Sequence, residues 1–212
     1  MSYMNIHAPS LVPLFRSDMQ GEVLAHLFLD PDHGYTVAEL ARLTSSAYAS
    51  VHREVQRVVR AGWVTTIKVG QATVVQAKTD TGLFLPLAQL LAQSYGPVAI
   101  LPRLLADVPG VTTVEIYGSW AELRLGTSPS VPRDIDVLVV GNPDRTLLDE
   151  KAREAEGLLR KEVNIRIFSD DLWRDSVDPF VLSLRSKPRV NLTKELATWS
   201  PGGSRGDPFS TA

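Results

Sequence analysis

The sequence predicts a mixed α/β (α+β) fold built from two successive small units, and two runs of pattern carry this prediction. Over about the first 80 residues, three short helical patterns are followed by two strand patterns. From residue 97 onward the order is helix, strand, tight turn, helix and strand, which indicates a small mixed sheet flanked by helices. We expect domains at 1–79 and 97–198, a linker helix at 80–96, and a disordered tail at 199–212 that is rich in Gly, Pro and Ser.

The amino-acid composition limits the cellular compartments and the kinds of metal site that are possible for this protein. The chain has 212 residues, a formal net charge of −2 and no cysteine, which excludes disulfides and cysteine-ligated metals and favours a reducing cytoplasm. No basic segment followed by an apolar one begins the chain, and no uninterrupted apolar run reaches the roughly 18–20 residues of a membrane span. We therefore expect a soluble, cytoplasmic protein without a membrane partner. Four histidines have no ligand spacing and receive no catalytic role: His7, His26, His33 and His52.

The helices of the first unit have local start and stop signals. An apolar helix includes VLAHLF at 23–28, and Thr36 with Glu39 has the spacing of a capping box for a second helix. Ser46 is predicted to cap a third helix, which Gly62 ends. One stripe of this third helix is apolar and is predicted to face a core; it consists of Val51, Val55, Val58 and Val59.

Two strands, WVTTIKV and ATVVQAK, follow the third helix and are joined at Gly70-Gln71. Three helices and a hairpin are the element order of a winged helix-turn-helix. The segment 36–78 has six Lys or Arg against two acidic residues, and a helix with small and polar side chains fits the major groove of duplex DNA. The alternative is a merely solvated helix face. The predicted base readers are Ser50, His52, Arg53 and Gln56, with Arg57 and Lys68 near phosphates.

The stretch SSAYASVHREVQRVVRAGWV, together with the two strands after it, resembles the winged helix of ArsR-like and MarR-like bacterial transcription regulators. The resemblance covers about the first 80 residues of the chain. It implies that duplex DNA is a partner and that the protein regulates transcription.

The segment LFLPLAQLLAQ at 83–93 is apolar nearly all round, which is unusual for a surface helix. It either packs between the two domains or forms a homodimer contact, which a reader of two DNA half-sites needs. The break SYGP at 94–97 then marks the domain boundary. The candidate dimer residues are Leu83, Phe84, Leu87, Leu90 and Leu91.

Two carboxylates stand at the head of an apolar strand in the stretch GSWAELRLGTSPSVPRDIDVLVV. Asp134 and Asp136 are two residues apart and therefore project to the same face of that strand. Such a pair is a solvated strand end or a site for a divalent cation, since Mg²⁺ binds carboxylates together with phosphate oxygens. Gly118 and Ser119 form a turn at which a phosphate can approach the backbone before the next helix begins.

Strand, Gly-Ser, helix and Asp-Ile-Asp on a strand together resemble the nucleotidyltransferase superfamily related to DNA polymerase β, especially the minimal bacterial members found alone or in toxin–antitoxin pairs. The domain-level match covers about 97–196, and its specific motif is confined to 118–136. The resemblance implies that Asp134 and Asp136 bind Mg²⁺ or Mn²⁺ and act in catalysis. It also implies that Gly118 and Ser119 contact the phosphates of a nucleoside triphosphate, whose monophosphate is transferred.

The chain departs from that family where a third carboxylate is common, on the strand EVNIRIF. Asn164 occupies the expected position, and it shares a predicted strand face with Glu162 and Arg166. An amide can orient a metal-bound water but cannot act as a general base, whereas Glu162 can. The loop at 127–132 is also longer than in minimal members, and we expect it to loop out.

Other polar and aromatic residues around these strands have alternative interpretations. Tyr117 and Trp120 flank the Gly-Ser turn and either stack on a base or belong to the core. Arg124 either meets a phosphate or is solvated. Asp170 and Asp171 are predicted to cap the helix that follows them.

Two functions of different classes remain open. In the first, the protein is a magnesium-dependent nucleotidyltransferase whose winged helix binds DNA. In the second, it is a transcription regulator or antitoxin-like protein whose nucleotidyltransferase domain only senses nucleotide or binds a partner, such as a toxin or antitoxin protein.

Overall fold

A computed structural model describes residues 14–194, whose helices and strands form two groups along the chain. The first group comprises α1 (Asp18–Leu29), α2 (Val37–Leu43), α3 (Tyr48–Arg60), β1 (Val64–Val69) and β2 (Ala72–Ala77). The second comprises α4 (Phe84–Tyr95), α5 (Pro97–Leu105), β3 (Val111–Tyr117), α6 (Ser119–Leu125), β4 (Asp134–Gly141), α7 (Arg145–Leu159), β5 (Glu162–Phe168), α8 (Asp170–Asp175), α9 (Pro179–Ser186) and β6 (Arg189–Asn191). The predicted mixed α/β class is confirmed. The predicted tail at 199–212 lies outside the described residues.

The first group ends in the predicted hairpin. Strands β1 and β2 are antiparallel, and Val69 pairs with Ala72 across the two-residue turn Gly70-Gln71. Gly70 has a φ of +61°, a conformation that glycine adopts without steric cost. A single bridge between Tyr35 and Val75 ties the segment before α2 to this hairpin.

The structure confirms one of the helix caps predicted from the sequence and differs from the prediction at two others. The Thr36 side chain accepts a hydrogen bond from the Glu39 amide at 3.1 Å, as predicted for the start of α2. The prediction that Ser46 caps α3 is wrong, because α3 begins after Ala47 while the Ser46 hydroxyl donates to the Thr44 carbonyl. The cap of α8 is Ser169, so the predicted capping aspartates lie instead in the first turn of that helix.

The second group contains a four-stranded mixed sheet in the order β5-β4-β3-β6. Strand β4 is parallel to β5 and antiparallel to β3, and β3 is antiparallel to β6. One face of the sheet joins the main core through Ile116, Ile135 and Val137, where α5 and α7 contribute Leu101 and Leu148. The opposite face carries a smaller apolar cluster against α8 and α9, formed by Tyr117, Leu138, Val140 and Leu184 with Phe168 and Trp173 packed on it.

Helix α4, the first element of the second group, packs against the first group and contributes to a core that the two groups share. It contacts α1, α5 and α6, and the ring of Phe84 stacks on Phe28 at a centroid distance of 5.8 Å. Three of the proposed dimer residues, Phe84, Leu87 and Leu91, are buried within the chain. Packing inside the chain thus accounts for the apolar character of this helix. The helix ends at Tyr95, within the break predicted at 94–97.

Among the residues that the structure describes, one apolar stretch, Phe84–Leu105, is long and apolar enough to cross a membrane by length and composition alone. It includes α4 and α5, which meet at Gly96 rather than forming one uninterrupted run of apolar residues. Side chains from both helices belong to the main hydrophobic core. This arrangement is consistent with interior helices of a soluble protein.

Candidate functional site

The two carboxylates of the acidic pair, Asp134 and Asp136, lie on the same strand face, as the alternation of side chains along a strand predicts. Asp134 and Asp136 begin β4 and are both partly exposed, whereas Ile135 between them is fully buried on the opposite face. Strand pairing places Tyr117 of β3 directly opposite Asp136. The strand can therefore keep a buried apolar face and still present two carboxylates at its beginning.

The Gly-Ser turn packs directly against this acidic pair. Gly118 has a φ of 69° and a ψ of −146°, a backbone conformation that side-chain-bearing residues rarely adopt. A Cβ atom at this position would lie 2.9 Å from the Asp136 Oδ2 atom. The backbone conformation requires glycine, a side chain here would in addition displace the Asp136 carboxylate, and Ser119 follows as the first residue of α6. The two halves of the sequence motif are thus brought together.

Register across the sheet places four polar side chains in one row. Asp136 pairs with Tyr117 on one side and with Asn164 on the other, and Tyr117 pairs in turn with Arg189. Asp134 pairs with the exposed Glu162 of β5. The predicted shared face of Glu162, Asn164 and Arg166 follows from this parallel pairing.

Electrostatics at the site disfavour two bare negative charges. Burial raises the pKa of Asp136, and the charge of Asp134 raises it further, while Arg166 and Lys187 act in the opposite direction. The Asn164 side-chain nitrogen donates to Asp134 Oδ2 at 3.2 Å. Amide and cationic side chains of the protein thus partly compensate the negative charge of the two carboxylates.

The donor set suits a hard cation only in part. Two carboxylate residues and one amide oxygen, presented after rotation of the Asn164 amide, are ligands of the kind that Mg²⁺ takes. Within residues 14–194, no group of three or more His, Asp or Glu side chains could hold a metal ion. A cation here would need oxygen atoms from water or from a bound phosphate.

The residues flanking the turn belong to the core. Tyr117 is 6 % exposed and Trp120 is 4 % exposed, so neither offers an open ring face for stacking on a base. Arg124 is exposed on the last turn of α6. The loop at 127–132 is irregular as predicted, but Val131 is buried, so the loop packs on the protein rather than extending into solvent.

A second polar surface follows the exposed face of α3. A shallow groove there is lined by His52, Arg53, Gln56, Arg57 and Arg60. The His52 ring stacks on Tyr48 at a centroid distance of 6.0 Å, and Arg53 donates to the Ser50 hydroxyl at 3.3 Å. Lys68 is exposed on β1.

Two features of α3 were not predicted from the sequence. Glu54 is only 4 % exposed, accepts a hydrogen bond from Gln20 of α1 at 2.8 Å, and forms an ion pair with Arg57. The charge of Arg57 is therefore partly compensated inside the protein. Arg60 joins the groove, and its spacing of seven residues from Arg53 is a signal that could have identified it.

Comparison of the chain with models of known protein families and with curated protein sequences finds no match. The features that indicate function are therefore those of the molecule itself. They are the acidic pair against the Gly118 turn on the sheet, and the polar groove on α3.

Proposed function

We propose that the sheet unit is a nucleotidyltransferase domain that transfers a nucleoside monophosphate from a nucleoside triphosphate to an acceptor hydroxyl, and that the first unit binds duplex DNA. The observation that carries the first part is the contact of Gly118 with Asp136, with Asp134 on the same strand face. The nucleotidyltransferases that the sequence resembles use these elements together. The residue types and their juxtaposition support the same assignment here.

The reaction would form one bond and break one. The acceptor oxygen attacks the α-phosphorus, the bond from that phosphorus to the bridging oxygen of the β-phosphate breaks, and pyrophosphate leaves. Bound Mg²⁺ or Mn²⁺ would supply charge stabilisation and activation of the attacking hydroxyl. Asp134 and Asp136 would bind the cation, and Gly118 and Ser119 would contact the phosphates. Glu162, opposite Asp134, can take the hydroxyl proton, whereas Asn164 cannot.

Calorimetry with the four common nucleoside triphosphates and Mg²⁺ or Mn²⁺ tests this assignment. The double change Asp134→Asn and Asp136→Asn should abolish metal-dependent nucleotide binding, because it removes both anionic ligands. It should leave the circular dichroism spectrum and DNA binding unchanged, since neither carboxylate makes a contact on which the core depends. A wild-type protein that binds no nucleotide with either metal would refute the proposal.

Asn164→Asp tests transfer separately from binding. A carboxylate at this position could accept a proton and balance metal charge, so transfer of labelled nucleotide should increase in the variant. Asn164→Ala removes the amide without adding a carboxylate and is the matched control. Equal transfer in both variants would show that the missing carboxylate does not limit the reaction.

The first unit supports the DNA part of the proposal through the exposed groove on α3. Base readers would be Ser50, His52, Arg53 and Gln56, and Arg57 and Lys68 would lie near phosphates. Such readers commonly act as homodimers on two half-sites, which we include in the proposal together with a cytoplasmic location and transcription regulation. Selection from random duplexes that enriches no site would refute it.

The second candidate function is a regulator or antitoxin-like protein whose sheet unit senses nucleotide without transferring it. Asn164 favours this alternative, because its amide replaces a carboxylate and donates to Asp134. The expected result is nucleotide-dependent DNA binding, or binding of a toxin or antitoxin partner, with no labelled acceptor. An adjacent toxin-like gene would identify the partner to test.

A further inference from the structure

The Gly118 turn has a cationic neighbour on the side away from the acidic pair. Strand β6 pairs with β3 so that Arg189 lies opposite Tyr117. Lys187 stands two residues before Arg189, and α6, which begins at the turn with Ser119, contacts both β6 and β4. The helix that starts at the turn therefore lies beside both the strand that begins with Asp134 and the strand that Lys187 precedes.

Lys187 projects to the same face of the sheet as the carboxylates. Arg189 identifies that face on β6, because its Nε atom lies 2.8 Å from Glu115 Oε2, and Glu115 alternates with the buried Ile116 of the opposite face. Lys187 has extended backbone angles, φ −77° and ψ 155°, so its side chain shares the face of Arg189 two residues later. The lowering effect of Lys187 on the pKa of Asp136 agrees with this placement.

The other cations of this face are engaged in the structure. Arg189 also donates to the Leu184 carbonyl at 3.0 Å, and Arg185 donates to the Ser176 carbonyl at 3.3 Å. The Arg166 guanidinium lies 5.1 Å from the centre of the Phe180 ring. In contrast, Lys187 is exposed, and across residues 14–194 its ammonium has no hydrogen bond or ion pair.

We propose that Lys187 binds the β- and γ-phosphates of the nucleoside triphosphate and stabilises the departing pyrophosphate. This inference rests on the proposed transferase function. With the carboxylates of β4 engaged by the cation, the outer phosphates of a triphosphate seated at the turn are attracted by the amine on the β6 side and extend toward Lys187. An ammonium is a compact charge that suits phosphate oxygens, and the exposed Lys187 side chain carries it on a flexible four-carbon stem.

Calorimetry on the full chain with Mg²⁺ and inorganic tripolyphosphate, pyrophosphate or orthophosphate tests this role without the nucleoside. Lys187→Met should weaken tripolyphosphate binding about 10- to 100-fold, which is the range for loss of a charged hydrogen bond. The loss should be smaller for orthophosphate, which is too short to extend from the turn to Lys187. Lys187→Arg should retain most of the affinity. Lys78→Met removes the same charge from the exposed end of the first unit and should change nothing.

The outcomes separate this inference from the proposed function. If the wild type binds nucleoside triphosphate and tripolyphosphate and Lys187→Met binds them equally well, the role of Lys187 is overturned while the transferase assignment stands. An equal loss in Lys78→Met would also overturn it, because net charge alone would then explain the effect. If the wild type binds neither ligand with Mg²⁺ or Mn²⁺, both proposals are wrong.

Discussion

At the scale of single residues, Gly118 determines whether the acidic pair can lie against the turn. Its positive φ excludes most other residues on backbone grounds, and the Asp136 carboxylate occupies the space of a side chain. Gly126, at the end of the following helix, also has a positive φ of 78°, but nothing lies within 4 Å of a Cβ atom built there. Substitution of the two glycines therefore separates the energetic cost of backbone strain from the cost of crowding against Asp136.

Gly118→Ala should reduce the free energy of unfolding by about 2–4 kcal/mol, because strain and the displacement of Asp136 add. Gly126→Ala should cost about 1 kcal/mol, from strain in the left-handed region alone. Urea unfolding measures both, and calorimetry should show that only Gly118→Ala loses metal-dependent nucleotide binding. Equal costs in the two variants would show that the contact with Asp136 is unimportant.

At the scale of elements, α3 combines a structural face and an exposed polar face. Val51, Val55 and Val58 are buried, and Glu54 ties the helix to α1 through Gln20. Arg53 lies on the opposite side with no carboxylate partner among the ion pairs found in residues 14–194. This division of faces leaves the proposed DNA contacts free of the core.

Arg53→Ala should lower the preference for specific over non-specific duplex by about 1–3 kcal/mol, because it removes a base contact. Lys68→Ala should weaken binding to all sequences alike and reduce its salt dependence, since a phosphate contact carries no sequence information. Fluorescence anisotropy at several salt concentrations measures both effects. Identical behaviour of the two variants would refute the assigned roles.

Helix α4 offers a test of packing within the chain. Leu91 is 0 % exposed and Leu83, just before the helix, is 41 % exposed. Leu91→Ala should cost about 2–5 kcal/mol of unfolding free energy, and Leu83→Ala should cost less than about 1 kcal/mol. Glutamate at Leu87 or Leu91 would unfold the chain rather than dissociate a dimer, so light scattering of the wild type is the measurement for the homodimer.

At the scale of the whole molecule, polar contacts accompany the shared core. Arg160, which follows α7, lies 3.7 Å from Asp30 and 3.7 Å from Glu39 of the first group, and its guanidinium lies over the Tyr35 ring. The Tyr35 hydroxyl donates to Asp30 at 2.7 Å. These contacts join the first group to the sheet unit, and we expect one cooperative unfolding transition for the described residues.

Lowering the pH should reduce the folding stability of the chain through His26, which packs near Tyr35. Burial lowers the pKa of His26 to about 4, and Arg160 lowers it further against the opposing effect of Asp30 and Glu39. Because the unfolded chain binds a proton at a higher pH than the folded one, stability is complete above about pH 6.5 and falls as the pH drops toward 4, by at most about 3 kcal/mol. His26→Gln should remove this part of the pH dependence in urea titrations, whereas His52→Gln should retain it.

Much of the local structure could be predicted from the sequence, because its causes act within a few residues. The Thr36 cap, the Gly70 turn and the shared face of Asp134 and Asp136 depend on side-chain spacing and backbone preference. The mistaken Ser46 cap has a local cause as well, since several hydroxyl residues compete for the same turn and the Ser46 hydroxyl bonds to the Thr44 carbonyl instead.

The amino-acid sequence by itself determined the order of helices and strands from α1 to β4 and the presence of two carboxylates beside a glycine turn, but its pattern did not predict α7, α9 or β6. Only the tertiary structure decided that Asp136 lies against Gly118, that Asn164 donates to Asp134, and that the strand following Lys187 pairs with β3. Those relations follow from strand register and from helices packing on a shared core, which join residues far apart in the chain. Periodicity identifies the face of an element, but the partner that covers that face depends on long-range packing.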